Sequence, residues 1–145
     1  MNIFVRPKSL AATYSTNVPW ACISIVTHVN TWPMFRNNDP DLLLQMHFAD
    51  SDRPLEGEFS LVQSTQVFDE YMARAIIEFY QEVEKQKITE LLVHCEAGWS
   101  RSPAVAGALS KIFLGDDSLF FQNYSPNMHV YRLIINEAVK MDLIG

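Results

Sequence analysis

Apolar and polar residues along the chain divide it into short strands in the first half and helices in the second. Ile3-Phe4-Val5 forms a brief apolar run ahead of Arg6-Pro7-Lys8. Trp20-Ala21-Cys22-Ile23-Ser24-Ile25-Val26 follows Pro19 as a nearly continuous β-rich run, the pattern of a strand buried on both faces and so placed centrally in a sheet. The segment from Asp41 to Phe48 reads as another strand. From Gln66 to Lys85, Phe68, Met72, Ala75, Ile76, Phe79 and Val83 recur at three- and four-residue intervals. That spacing predicts an amphipathic helix with Glu70, Arg74, Glu78, Glu82 and Glu84 on its solvated side. Ile88 to Val93 returns as a strand, and after Ser102 the residues Val105, Leu109, Ile112 and Phe113 mark a second helix. Gly107 allows that helix a close neighbour and Gly115 is its stop. Asp116-Asp117-Ser118 reads as a turn, and Ser125-Pro126 can start a last helix with the apolar stripe Val130, Leu133, Ile134, Ala138 and Met141. The predicted architecture is α/β: a single domain over residues 1–145 with a central, mainly parallel sheet flanked by helices.

Composition narrows the choices without changing this picture. A chain of 145 residues, 48% of them hydrophobic, is long enough for one core and shows no sign of disorder. The stretch Thr27 to Pro40, with Asn30, Pro33, Asn37, Asn38 and Asp39, has loop composition; Trp32 and Phe35 on it read as cover for the core ahead of a mobile rim. No apolar run approaches the roughly 18 residues of a membrane helix, and the N-terminus lacks a signal-peptide pattern. A cytoplasmic protein without membrane contact is the expectation. Cys22 and Cys95 are too few for a disulfide scaffold, and Cys22 sits where core is expected. A formal charge of −6 argues against a nucleic-acid surface, which would cluster Lys and Arg.

The chemistry concentrates in Leu91-Leu92-Val93-His94-Cys95-Glu96-Ala97-Gly98-Trp99-Ser100-Arg101-Ser102-Pro103. A buried strand delivers a cysteine to a tight loop that runs into a helix. Successive backbone N–H groups of Glu96, Ala97, Gly98, Trp99, Ser100 and Arg101 then converge at the positive end of the helix dipole, where an anion is held. Gly98 permits the turn. Arg101 adds a planar, permanently charged fork matched to two phosphate oxygens. The same donors favour the thiolate of Cys95 over the thiol, so the nucleophile and its anion cradle are one object. The ordinary alternative, a buried structural thiol, does not account for His94, Cys95, Gly98, Arg101 and Ser102 falling together between strand and helix.

His94-Cys95-x-x-Gly98-x-x-Arg101-Ser102 resembles the His-Cys-x5-Arg-Ser/Thr signature of the cysteine-dependent protein phosphatases, the protein tyrosine phosphatase superfamily. The run from Leu91 to Leu109 is most similar to the dual-specificity branch. The resemblance implies that Cys95 attacks phosphorus to form a phosphocysteine, that Arg101 binds the phosphoryl oxygens, that Ser102 stabilises the departing thiolate, and that His94 shapes the loop from beneath. Trp99 occupies a variable position, where its size bears on the pocket entrance. Glu96 is expected to point away from the phosphate, toward a neighbouring cation.

A phosphatase also needs an acid for the leaving oxygen, and a carboxylate just past a strand end is where a parallel sheet exposes such a group. Asp50 is the expected acid, acting later as the base for water, and it matches the place of the family's aspartate; Asp52 is the alternative. The segment from Asp50 to Cys95 is longer than the family's usual one. His129 and Arg132 read as ordinary surface or packing residues.

The expected function is thus hydrolysis of phosphotyrosine, with phosphoserine and phosphothreonine as further substrates, on a phosphorylated protein or peptide. The alternatives are a phospho-binding module without turnover, and a phosphatase for phosphoinositides or RNA 5′-phosphates. The loop Glu96-Ala97-Gly98-Trp99-Ser100 has no lysine for a polyanion, which counts against the last. The four histidines show no metal spacing, so neither metal nor other cofactor is expected.

Overall fold

A computed structural model describes residues 1–51 and 66–145. The elements run β1 (Asn2–Pro7), α1 (Lys8–Ala11), β2 (Trp20–Val26), β3 (Leu42–His47), α2 (Glu70–Lys85), β4 (Glu90–Cys95), α3 (Arg101–Leu114), α4 (Ser118–Asn123) and α5 (Met128–Lys140). The four strands form one sheet in the order β1-β4-β2-β3, and every pairing is parallel. β2 is interior and buried along its whole length, as its unbroken apolar run requires.

Strand parity divides the core. Ala21, Ile23 and Ile25 of β2 and Leu91, Val93 and Cys95 of β4 face the large core, which α2, α3 and α5 cover; Trp20, Cys22 and Leu92 face a smaller one closed by Ala11, Tyr14 and Phe35. Cys22 is therefore core, and its thiol is pushed up by burial. Trp32 and Phe35 do cover apolar surface: Phe35 packs edge-on against Trp20, and the Trp32 indole N–H donates to the Met46 carbonyl at 3.1 Å.

The helices depart from the sequence pattern in phase more than in place. α2 starts at Glu70, after Asp69 accepts a bond from the Met72 N–H at 3.0 Å, and it buries Ala73, Ile76, Ile77, Tyr80 and Val83, with Met72, Ala75 and Phe79 only partly covered. Its exposed charges tie it to α5: Arg74 meets Glu137 at 3.3 Å and Glu70 meets Lys140 at 3.2 Å. α3 begins at Arg101, two residues before the expected start at Pro103, and is buried from Arg101 through Ser110 because sheet, α4 and α5 enclose it. Gly107 lies against Phe120, where a Cβ would stand 3.4 Å from the Phe120 Cβ, and Gly115 ends the helix at φ 83°. The turn expected at Asp116-Asp117-Ser118 runs on into α4, and α5 is capped by Asn127, two residues beyond Ser125. Among the described residues, no helix is long and apolar enough to cross a membrane.

Candidate active site

β4 lies between β1 and β2 and ends at Cys95, so the thiol stands at the carboxyl end of an interior strand, where open parallel sheets place their ligands. The loop from Cys95 to α3 is pinned on both sides. The Lys8 N–H donates to the Glu96 carbonyl at 3.1 Å, while the Ser125 and Asn127 N–H groups donate to the Trp99 and Ser100 carbonyls at 3.2 and 3.0 Å. With these carbonyls bonded outward, the loop's own N–H groups are free to turn inward. Gly98 makes the turn at φ 70°, buried against the end of β1: a Cβ there would lie 2.7 Å from the Pro7 nitrogen and 2.9 Å from the Arg6 carbonyl carbon. Both the left-handed backbone and the space require glycine.

Cys95 is 2% exposed. Its Sγ accepts a bond from the Gly98 N–H at 3.3 Å and lies 3.1 Å from the Ser102 Oγ, a hydroxyl able to donate to a thiolate. Arg101, at 5% exposure, holds its guanidinium by Nη1, which donates to the Phe48 carbonyl at 2.8 Å and to the Thr27 Oγ1 at 3.0 Å. Both hydrogens of Nη1 are thereby used. Among the described residues the Nε–H and Nη2–H edge has no partner, and its shape matches two oxygens of one phosphoryl group. Among the described residues, no carboxylate neutralises this buried cation.

His94 sits on the opposite side of β4 from Cys95. Its Nε2 bonds to the Ser24 Oγ on the paired residue of β2, and its Nδ1 lies 3.2 Å from the Cys95 carbonyl. Burial holds its pKa below the ordinary imidazole value, outweighing the bond to the Cys95 carbonyl and the Glu96 charge, which favour the proton; the Lys8 and Arg101 charges add a little to the lowering. His94 therefore braces the loop as a neutral ring. The unfolded chain binds the proton more readily, so stability that is full above about pH 6.5 is lost as pH falls toward the lowered value, with a slope of up to about 1.4 kcal/mol per pH unit for one proton. Denaturant titrations at pH 7.5 and 5.5 check this: the wild type loses more stability on acidification than His94→Asn does, and parallel losses would contradict it.

Asp50 follows β3, and its Oδ1 accepts bonds from the Ser100 Oγ at 2.9 Å and from the Asn127 Nδ2 at 2.7 Å. The strand-end aspartate and the cysteine loop are thus joined through Ser100, both bonds falling on Oδ1 and none on Oδ2 among the described residues. Asp52 lies outside the described residues. Of the other loop residues, Glu96 is exposed and turned toward Lys8, with a carboxylate–ammonium distance of 3.9 Å; Ala97 is exposed; Trp99 is 55% exposed and meets Tyr124 edge-on at 6.1 Å. Ser100 lends its backbone to the loop, but its hydroxyl serves Asp50.

Asn127, Thr27 and the Phe48 carbonyl are parts of the site that sequence reasoning missed. Ser125-Pro126-Asn127 carried a helix-start signal, and the Asn127 Oδ1 does cap the Val130 N–H at 3.2 Å, but nothing local says where its amide nitrogen points. His129 donates to or accepts at no loop residue; its Nε2 lies 2.9 Å from the Phe68 carbonyl, and it lines, with Asp50, Ser100, Asn127 and Arg132, a cleft of about 770 Å³. Among the described residues, no group of three or more His, Cys, Asp or Glu is arranged to hold a metal ion.

No family model matches the chain, and no curated protein matches it by sequence. Solved structures do. The human tyrosine phosphatase-like serine/threonine/tyrosine-interacting protein superimposes with a TM-score of 0.64 at 19% identity, over 98% of this chain and 93% of that one. Human DUSP28 gives 0.53 at 15% identity, over 97% and 93%. A mouse protein designated a dual specificity phosphatase, solved with zinc tungstate, gives 0.50 at 18% identity, over 86% and 74%. The parallel sheet, the cysteine loop at the end of its interior strand and the helices that cover it make up the fold of the dual-specificity phosphatases.

Proposed function

We propose that the protein is a cysteine-dependent phosphomonoester hydrolase that acts on phosphotyrosine, and on phosphoserine and phosphothreonine, in protein or peptide substrates. The observation that carries this reading is the buried Arg101 guanidinium, which has a free bidentate edge and no carboxylate partner among the described residues, beside a buried thiol that already accepts an N–H and meets a hydroxyl. A buried cation of this kind is costly unless an anion completes it, and a phosphoryl group fits both the charge and the fork.

In the first step Sγ of Cys95 attacks phosphorus and the bond to the leaving oxygen breaks as Asp50 Oδ2 gives that oxygen its proton. In the second, water attacks phosphorus, Asp50 takes a proton from the water, and the S–P bond breaks. The departing thiolate is held by the Ser102 hydroxyl and the Gly98 N–H, while Arg101 and the loop N–H groups carry the charge of the phosphoryl oxygens throughout.

Hydrolysis of an aryl phosphate by the wild type in the presence of a chelator and a reductant tests the reading. Turnover supports it; a folded protein that binds phosphate analogues without turnover points instead to a phospho-binding module. The role of Asp50 has its own signature. Asp50→Ala slows hydrolysis of phenyl phosphate, a poor leaving group, by about a hundredfold or more, and slows an ester of a strongly acidic phenol only by about threefold, because the second needs no proton. Equal slowing of both contradicts the assignment.

A further inference from the structure

Glu96, the residue after Cys95, borders a second cleft of about 780 Å³, walled by Lys8, Pro33, Met34, Phe35 and Arg36. Its composition differs from the polar cleft beside Asp50. Pro33, Met34 and Phe35 supply an apolar floor, and the Met34 side chain is 84% exposed on it. Such a side chain is adaptable and contributes favourably once covered. The floor is fixed in place: Phe35 is packed edge-on against the buried Trp20, and the Arg36 N–H donates to the Ala12 carbonyl at 2.9 Å. The Lys8 backbone bond to the Glu96 carbonyl ties the same wall to the cysteine loop.

The charge on this wall is one-sided. Glu96 has its carboxylate 3.9 Å from the Lys8 ammonium and 3.4 Å from the Thr27 N–H, so its negative charge is answered. Arg36 is exposed and has no carboxylate partner among the described residues. In a chain of net charge −6 this is a cation with no ion-pair partner among the described residues, beside an apolar floor in a cleft that Glu96, the residue after the nucleophile, also lines.

We propose that this groove receives the substrate segment next to the phosphoresidue, and that the preferred segment places an acidic side chain on Arg36 and an apolar one on the Pro33–Phe35 floor. The inference rests on the reading of the Cys95 loop as the holder of a phosphoresidue. An extended peptide advances about 3.3 Å per residue, so a chain whose phosphate sits in the loop reaches the Glu96 edge within the next few residues. The substrate class is then a phosphoprotein with acidic and apolar residues close to the phosphorylated position. The overall negative field of the protein favours the opposite preference, which makes an acidic preference attributable to the groove.

The test measures fluorescence anisotropy of labelled phosphotyrosine peptides on the full chain carrying Cys95→Ser, so that binding is read without turnover. The peptides are identical except that the flanking positions carry Asp with Leu, Lys with Leu, or Asp with Ser. The acidic peptide binds at least about fivefold tighter than the basic one at low salt, and the ratio shrinks as salt is raised. Adding Arg36→Glu, which keeps the backbone bond to Ala12 and breaks no side-chain hydrogen bond or ion pair among the described residues, inverts the ratio; because both peptides carry the same phosphotyrosine, any effect on the loop cancels. Replacing Leu by Ser weakens binding by about threefold. Equal binding of acidic and basic peptides, or a ratio unmoved by Arg36→Glu, overturns the proposal, and equal binding of the Leu and Ser peptides overturns its apolar part. Absence of any phosphopeptide binding overturns the loop reading together with it. Flank discrimination without aryl phosphate turnover by the wild type supports the groove and removes only the hydrolase.

Discussion

Cys95→Ser abolishes turnover of aryl phosphates, with a loss of at least about a thousandfold, equivalent to about 4 kcal/mol of barrier at 1.36 kcal/mol per tenfold. The same variant keeps its affinity for tungstate or phosphate. The two halves separate because nucleophile and cradle are supplied by different atoms. The serine hydroxyl is a far weaker nucleophile than a thiolate at neutral pH, whereas the loop N–H groups and Arg101 do not depend on sulfur. The side chains are close in size, and the position, 2% exposed between Gly98 N–H and Ser102 Oγ, accepts an oxygen without new contacts. Calorimetric titration of tungstate beside steady-state kinetics checks the pair. Lost binding together with lost turnover would mean that the substitution unmade the loop, and retained turnover would remove Cys95 from the chemistry.

Arg101→Lys lowers kcat/KM for an aryl phosphate by about a hundredfold and weakens tungstate binding as well, even though the charge is kept. The reason is geometric. Nη1 is committed to the Phe48 carbonyl and the Thr27 hydroxyl, which aligns the opposite edge of the guanidinium for two phosphoryl oxygens. An ammonium is a point donor: it can satisfy the Phe48 carbonyl or meet the phosphate, and it offers no second parallel bond in either case. The substitution also leaves a carbonyl or hydroxyl short of a partner in a buried site, so a modest loss of stability accompanies it. Kinetics and tungstate titration on the folded variant read the effect, and an unchanged kcat/KM would show Arg101 to be a scaffold residue.

How much of this site the sequence carried depended on how local each part is. The strand β4, the loop and the start of α3 lie within a single stretch, and there apolar run, glycine, arginine and helix start support one another. The role of His94 as a brace came only from the resemblance of the motif; the structure places it on the face of β4 opposite Cys95, bonded to Ser24. Asp50 was reached through a general rule about strand ends, but its tethering by Ser100 and Asn127 joins residues 50, 100 and 127, and no spacing encodes that. Asn127 shows the limit well: its side-chain oxygen performs a local capping task that the sequence signals, and its nitrogen performs a tertiary one that it does not. Thr27 belonged to a segment of loop composition, where a hydroxyl that steadies a buried arginine looks like any turn residue.

The fold shows the same division. β2 was fixed by its unbroken apolar run, and parallel pairing followed from strands separated by crossovers. The buried face of α2 was read out of phase because Tyr80 and Ile77 are buried, Tyr80 stacked on Phe113 of α3, while Phe79 and Met72 are only partly covered. Both sets have helical spacing, and only packing against the neighbouring helices selects between them. The short helix α4 was invisible because its start, Asp116-Asp117-Ser118, has turn chemistry, and what extends it is Phe120 seated against Gly107.

The phosphocysteine is the claim on which the chemistry turns, and rapid-quench labelling tests it most directly. The wild type is mixed with an aryl phosphate carrying a radioactive phosphoryl group, quenched within milliseconds, digested and mapped. The mechanism predicts label on the peptide that contains Cys95, accumulating to higher levels in Ser102→Ala, where the thiolate leaves more slowly, and absent in Cys95→Ser. Turnover with no label on the protein, or with label on a residue other than Cys95, would contradict it.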